Sequence, residues 1–252
     1  MLSFNFESLS NLHECANDLL RLPITQQALV QYRHERWVDE LSEGSLRMLD
    51  VCGITRDILL LVKGHLQDIQ SALRRRNIGE SGVERRIGAY HFSIKKKLKD
   101  MLKCLEALKE LENNSDPSAI SDVDSNLMVV MSVLREVRIT TISLLESILS
   151  FLSMSKPKLK SRRRFFILNC MGGKRVANAS EENCDSELTG MNTTLYDLSN
   201  DISAKSKVYR VKTASKRLEA LEASVEGLEV ELECIFRRLI QTRVSLLNIL
   251  NN

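Results

Sequence analysis

The sequence predicts an all-α fold: an elongated antiparallel bundle of about five or six helices, with a C-terminal heptad (coiled-coil-like) helix. Three observations carry that expectation. From Leu218 to the C-terminus apolar residues recur at alternating 3-4 spacing, which keeps one stripe of a helix against its neighbours. The 252 residues include only 3 Pro and 10 Gly, too few breakers for a many-stranded β protein. Aromatic residues make up 5% of the chain and Trp occurs once, so Leu, Ile, Val and Met must supply most of the core, as in helix bundles.

Taken in order, the first helix is expected over Phe4–Arg21, with Leu9, Leu12, Ala16, Leu19 and Leu20 on one side. Pro23 ends it, and Thr25 reads as the N-cap of the next. From Gln26 to Arg76 the pattern is helical nearly throughout. His34, Trp37, Val38 and Leu41 share one stripe there, and Leu59, Val62, Leu66, Ile69 and Leu73 share another. Trp37 therefore reads as core. Gly44 and Gly53 mark bends or close-packing sites within this stretch. Asn77 to Glu80 reads as a turn, after which Ser81-Gly82-Val83-Glu84 fits a capping box for a helix reaching about Glu112. Asn113–Asp116 breaks that helix. Pro117 suits the first turn of the following one, which extends to about Ser153 with Leu127, Val130, Leu134, Val137, Leu144, Ile148 and Phe151 on its apolar face. Met154 to about Cys184 is a long irregular region holding Pro157, Gly172 and Gly173. A helix over Asp185–Asp201 follows, with a weak face of Leu188, Leu195 and Leu198. The last helix begins near Lys205.

The packing seam of that last helix comprises Leu218, Leu221, Val225, Leu228, Leu232, Ile235, Leu239, Leu246 and Ile249, with Thr242 as its one polar member. A second stripe of Phe236, Ile240, Leu247 and Leu250 makes the apolar face wider than a two-stranded zipper needs. The helix is thus expected to be covered within its own chain, against the Gln26–Arg76 and Pro117–Ser153 helices. A monomer follows from this, with a homodimer as the alternative. Thr242 and Arg243 are expected near a bundle end or a hydrogen-bond partner. In domain terms, residues 1–8 form a short leader and residues 9–252 one helical domain, with a basic linker at about 154–184.

Charge and chemistry point away from catalysis. A net charge of +3 carries no global nucleic-acid signature. The six cysteines, at 15, 52, 104, 170, 184 and 234, form no CxxC pair and read as reduced, mostly buried thiols of an intracellular protein. His13, His34, His65 and His91 form neither HExxH nor HxxxH, and no GxSxG, P-loop or GxGxxG occurs. The expectation is a non-enzyme without cofactor or metal. The N-terminus lacks the features of a secretory or transit signal, and no run of 18 apolar residues suggests a span. A cytoplasmic location is expected, with a membrane-peripheral or nuclear one as alternatives.

The densest charge is the run Lys156, Lys158, Lys160, Arg162, Arg163 and Arg164, followed by Phe165-Phe166-Ile167-Leu168. Three readings stay open: a solvated linker whose Phe residues tuck onto the bundle, contact with an anionic lipid surface, and nuclear import or nucleic-acid contact. Nucleic acid is the weakest, because aromatic residues are not interleaved with the charges. Arg74-Arg75-Arg76 suits the C-terminal end of a helix, and Lys95-Lys96-Lys97 the solvent face of one.

Several strings in these segments resemble the plant BYPASS-like family, first described as a plant domain of unknown function. They are LHEC at Leu12–Cys15, LPITQQAL at Leu22–Leu29, HERWVDELSEGSLRMLDVCG at His34–Gly53 and DIQSALRRR at Asp68–Arg76. The ending LECIFRRLIQTRVSLLNILN, Leu232–Asn251, is similar to the usual ending of that family. The likeness runs from about Leu9 to the end. It departs at the start, where MLSFNFES stands in place of a longer leader rich in Ser, Arg and Pro. The resemblance implies a role in root and shoot development and in control of a root-derived signal. It implies no catalytic residue. The expected function is therefore that of a helical interaction or adaptor protein with an unidentified protein partner. The alternative is a peripheral membrane protein that binds anionic lipid through Lys156–Leu168.

Overall fold

The computed structural model describes residues 6–75, 80–114, 125–153, 195 and 207–251. Its helices are α1 (Phe6–Arg21), α2 (Pro23–Gln31), α3 (Arg36–Arg74), α4 (Glu80–Asn114), α5 (Ser125–Leu152) and α6 (Lys207–Asn251). No strand occurs among the described residues. At 1.5 Å per residue, the 39 residues of α3 and the 45 of α6 extend roughly 58 and 68 Å, so the bundle is elongated.

α3 is the central strut and packs against α6, α4 and α5. Pairs of linked residues give the directions. Arg56 meets Glu233, Lys63 meets Glu226, and Arg74 meets Glu219, so α3 and α6 are antiparallel. Asp68 with Arg86 and His65 with Tyr90 make α3 and α4 antiparallel. Two neighbouring pairs run parallel: α1 with α6, and α3 with α5. The larger apolar core joins α1, α3, α4, α5 and α6, and Leu195 belongs to it. A smaller cluster closes one end, where Leu20, Leu29, Trp37 and Val38 meet Leu127, Val130, Leu246 and Ile249.

The structure departs from the sequence expectations at several points. Thr25 is no N-cap: α2 opens at Pro23 after Leu22, and Thr25 is buried inside the helix. Pro suits that first position because its missing N–H would lack a helical partner anyway. The stretch from Gln26 is two helices, broken at Tyr32–Glu35 by tight turns in which Arg33 N–H bonds Val30 O (3.4 Å) and Glu35 N–H bonds Tyr32 O (2.9 Å). The break allows Leu29, on α2, and Trp37 and Val38, on α3, to face the same small cluster. Trp37 is core as expected, whereas His34 lies exposed in the break. α3 continues through Gly44 and Gly53.

The second main neighbour of α6 is α1, not α5, which packs on α1, α4 and α3 instead. The short α1 occupies the side of α6 that the sequence assigned to α5. In the second stripe Phe236, Leu247 and Leu250 are partly buried, but Ile240 is exposed. Of the described cysteines, which are free thiols, only Cys52 is buried. Cys104 is half-buried, and Cys15 and Cys234 are exposed. Residues 77–79 of the expected turn, the Pro117 start, the linker and most of the Asp185–Asp201 segment lie outside the described residues, whereas Glu80, expected in that turn, already opens α4.

Candidate functional site

Each seam residue named from the sequence is buried along α6, from Leu218 through Leu221, Val225, Leu228, Leu232, Ile235 and Leu239 to Leu246 and Ile249. Beside the seam runs a ladder of charges. Lys63 pairs with Glu226 (3.1 Å) and Glu229 (3.4 Å), Arg56 with Glu233 (3.2 Å), and the Gln70 amide donates to Glu222 (2.7 Å). Glu226, with Glu229, holds the Lys63 ammonium above its ordinary range, and Arg237 and Arg56 hold the Glu233 carboxyl below its own. Complementary pairs repeated at helical spacing oppose a sliding of α3 along α6. The seam and its ladder are thus occupied from within the chain.

A buried polar centre lies where α1, α3, α5 and α6 converge. His13 stands on the inner stripe of α1 and is fully buried. Thr242 Oγ1 donates to Arg238 O (3.0 Å), so His13 Nδ1–H is the donor to that hydroxyl at 3.3 Å. Burial, and then the nearby Arg238 charge, lower the His13 pKa to about 4. His13 Nε2 and the Oδ1 of Asn17, one turn further on, are buried without a hydrogen-bond partner among the described residues. Arg243 Nη1 donates to Ser42 O (2.5 Å) and Ser45 Oγ (2.7 Å), tying α6 to α3. Arg138 is 5% exposed and donates through Nε to Glu112 Oε2 (2.5 Å), and Glu112 also pairs with Arg135. Gly44 makes room for that guanidinium: a Cβ there would lie 2.9 Å from Arg138 Nη1. A cavity of about 30 Å³ sits among His13, Ser45, Arg138, Thr242 and Arg243.

Thr242 and Arg243 thus have the hydrogen-bond partners expected of a polar interruption in the seam. Sequence reasoning missed His13 and Arg138 as members of one centre. The signal for each was a polar side chain on an apolar stripe, since His13 falls between Leu9 and Ala16, and Arg138 between Leu134 and Ile142. A second polar group lies between α3 and α4. There the buried Tyr90 ring meets His65 and His91 edge-on, at 5.8 and 5.3 Å between centroids. Among the described residues no group of three or more His, Cys, Asp or Glu is placed to hold a metal ion.

The accessible faces differ from these centres. Between α1, α2 and the end of α6 runs an open groove of about 580 Å³ with Leu20, Val30 and Ile249 at its base. Arg21, Gln26, Gln27, Gln31, Ser245 and Asn248 rim it. α2 also leaves Leu22 and Ile24 nearly half exposed. On α4, Lys95, Lys96 and Lys97 are all exposed, as expected. No described helix is long and apolar enough to cross a membrane. Lys156, Lys158, Lys160, Arg162, Arg163 and Arg164 lie outside the described residues. The family described as Protein BPS1 matches the chain over residues 5–249. No curated protein and no solved structure matches it.

Proposed function

Because the chain belongs to the Protein BPS1 family, we propose that it is a non-enzymatic helical interaction protein acting in plant root and shoot development. In this reading it takes part in the control of a root-derived signal, the process that the BYPASS-like resemblance implies. One observation supports an interaction role most directly: the groove between α2 and the end of α6, apolar at its base and rimmed by amides. Its volume falls in the range of binding clefts, about 300–1,000 Å³. An amphipathic segment of a partner protein fits such a groove, its apolar side on Leu20, Val30 and Ile249 and its polar edge against the glutamines.

Proximity labelling in root tissue tests this reading, comparing the natural chain with a Gln27→Arg, Gln31→Arg variant. Both positions are exposed, so the fold should survive the change. The expected outcome is a partner set that the variant loses. Identical sets from both chains would remove the groove from the reading, and catalytic turnover by the purified chain would remove the non-enzymatic part. The alternative, anionic-lipid binding through Lys156–Leu168, rests on the sequence of that segment alone.

A further inference from the structure

We propose that the outer face of α4 between Arg85 and Lys103 docks on an anionic phospholipid bilayer, with Phe92 as its inserted apolar wedge. This goes beyond the protein-interaction reading and does not depend on it.

α4 buries Val83, Ile87, Tyr90, Ile94, Met101 and Leu105 toward the bundle. At 100° per residue, the diametrically opposite stripe holds Arg85, Phe92, Lys96, Lys99 and Lys103 within about 40° of its centre line. Lys95 stands about 70° to one side. Gly88 and Ala89 fall on the same outward face, and all these residues are exposed. The stretch spans roughly 27 Å along the helix axis. None of its five cations forms an ion pair with a described residue. The nearest carboxylates of α4 itself, Glu84 and Asp100, stand on the flanks about 90° and about 70° away, and Glu106 and Glu110 follow only beyond Lys103. A lysine-rich stripe alone would be an ordinary solvated face.

Phe92 is what that account leaves unexplained. It is 86% exposed, the highest value among the exposed large apolar side chains described, and it sits in the middle of the cations. A protein partner of stable affinity covers about 800 Å² per side around a buried apolar cluster, whereas this ridge offers a single ring at its centre. Single-stranded nucleic acid favours a series of stacking rings, and here there is one. A bilayer accepts this geometry directly: lysines lie at the level of anionic headgroups while one aromatic side chain enters the interface.

Co-sedimentation of the full chain with vesicles tests the proposal. Vesicles of phosphatidylcholine with about 30 mol% phosphatidylserine should bind it, and vesicles of phosphatidylcholine alone should not. Binding should weaken as salt rises. Each cation near such a surface contributes roughly fivefold, so Lys95→Glu, Lys96→Glu and Lys99→Glu together should lower partitioning at least about 100-fold. Phe92→Ser should lower it severalfold and leave the salt dependence in place. In a Phe92→Trp chain the emission should shift to the blue on anionic vesicles only, a readout that does not require the charge variant to fold. The proposal is overturned if the natural chain ignores anionic vesicles, or if the triple variant binds like it. Loss of binding with Arg162→Glu, Arg163→Glu and Arg164→Glu in place of the α4 changes would also overturn it, as would retention only by an acidic polypeptide or nucleic acid.

Discussion

The imidazole of His13 donates through Nδ1 to Thr242 and is kept neutral by burial and by the Arg238 charge. Other charged groups around the centre are Glu14, Glu112, Arg138 and Arg243. The folded pKa of about 4 lies below the ordinary 6.5, so on acidification the unfolded chain takes up this proton first. The contribution is therefore whole above pH 6.5, falls as pH drops toward about 4, and changes no further below that. At about 1.4 kcal/mol per pH unit the window amounts to roughly 3 kcal/mol. Urea unfolding at about pH 7.5 and about pH 4.5 should show most of this loss in the natural chain. A His13→Gln variant should lose less by about that amount, and equal losses in both chains would place the acid sensitivity elsewhere. His13 could be read from the sequence as a polar residue on an apolar stripe. Its partner could not, because Thr242 lies 229 positions away and no local spacing links the two.

At the level of elements, α6 draws its stability from a side-chain stripe rather than from its ends. Leu232 is fully buried in the seam, while Val230, two residues earlier on the same helix, is 70% exposed. Leu232→Ala removes transfer energy and leaves a cavity, which costs about 2–5 kcal/mol. Val230→Ala should stay within about 0.5 kcal/mol, as a surface change does. Chemical denaturation of the two variants checks the contrast, and equal effects would mean that the seam is not packed as described. This asymmetry was legible in the heptad spacing. The break between α2 and α3 was not, for neither Pro nor Gly marks Tyr32–Glu35. It is set by the small cluster, in which Leu29 and Trp37 both seek the same apolar neighbours.

For the molecule as a whole, the consequence of a seam filled by α1 and α3 is that α6 has little apolar stripe left for a second copy of the chain. Sedimentation of the purified protein across the micromolar range should then give the monomer mass of about 28.7 kDa. A concentration-dependent dimer that Leu232→Ala abolishes without unfolding the chain would restore the zipper.

By itself the sequence determined that the chain is helical, that its long helices lie where the 3.6-residue pattern persists, and which stripe of α6 is buried. Periodicity and the scarcity of breakers are local properties, and they can be read along the chain. Only the tertiary structure decided that α1 covers the flank of α6, that α2 and α3 part at Tyr32, and that His13, Arg138, Thr242 and Arg243 converge on one polar centre. The physical reason is separation. Arg243 reaches Ser42 and Ser45 across 201 and 198 residues, and Gly44 admits Arg138 from another helix. Such contacts are chosen by which apolar faces fit together in space, and that choice leaves no period in the sequence.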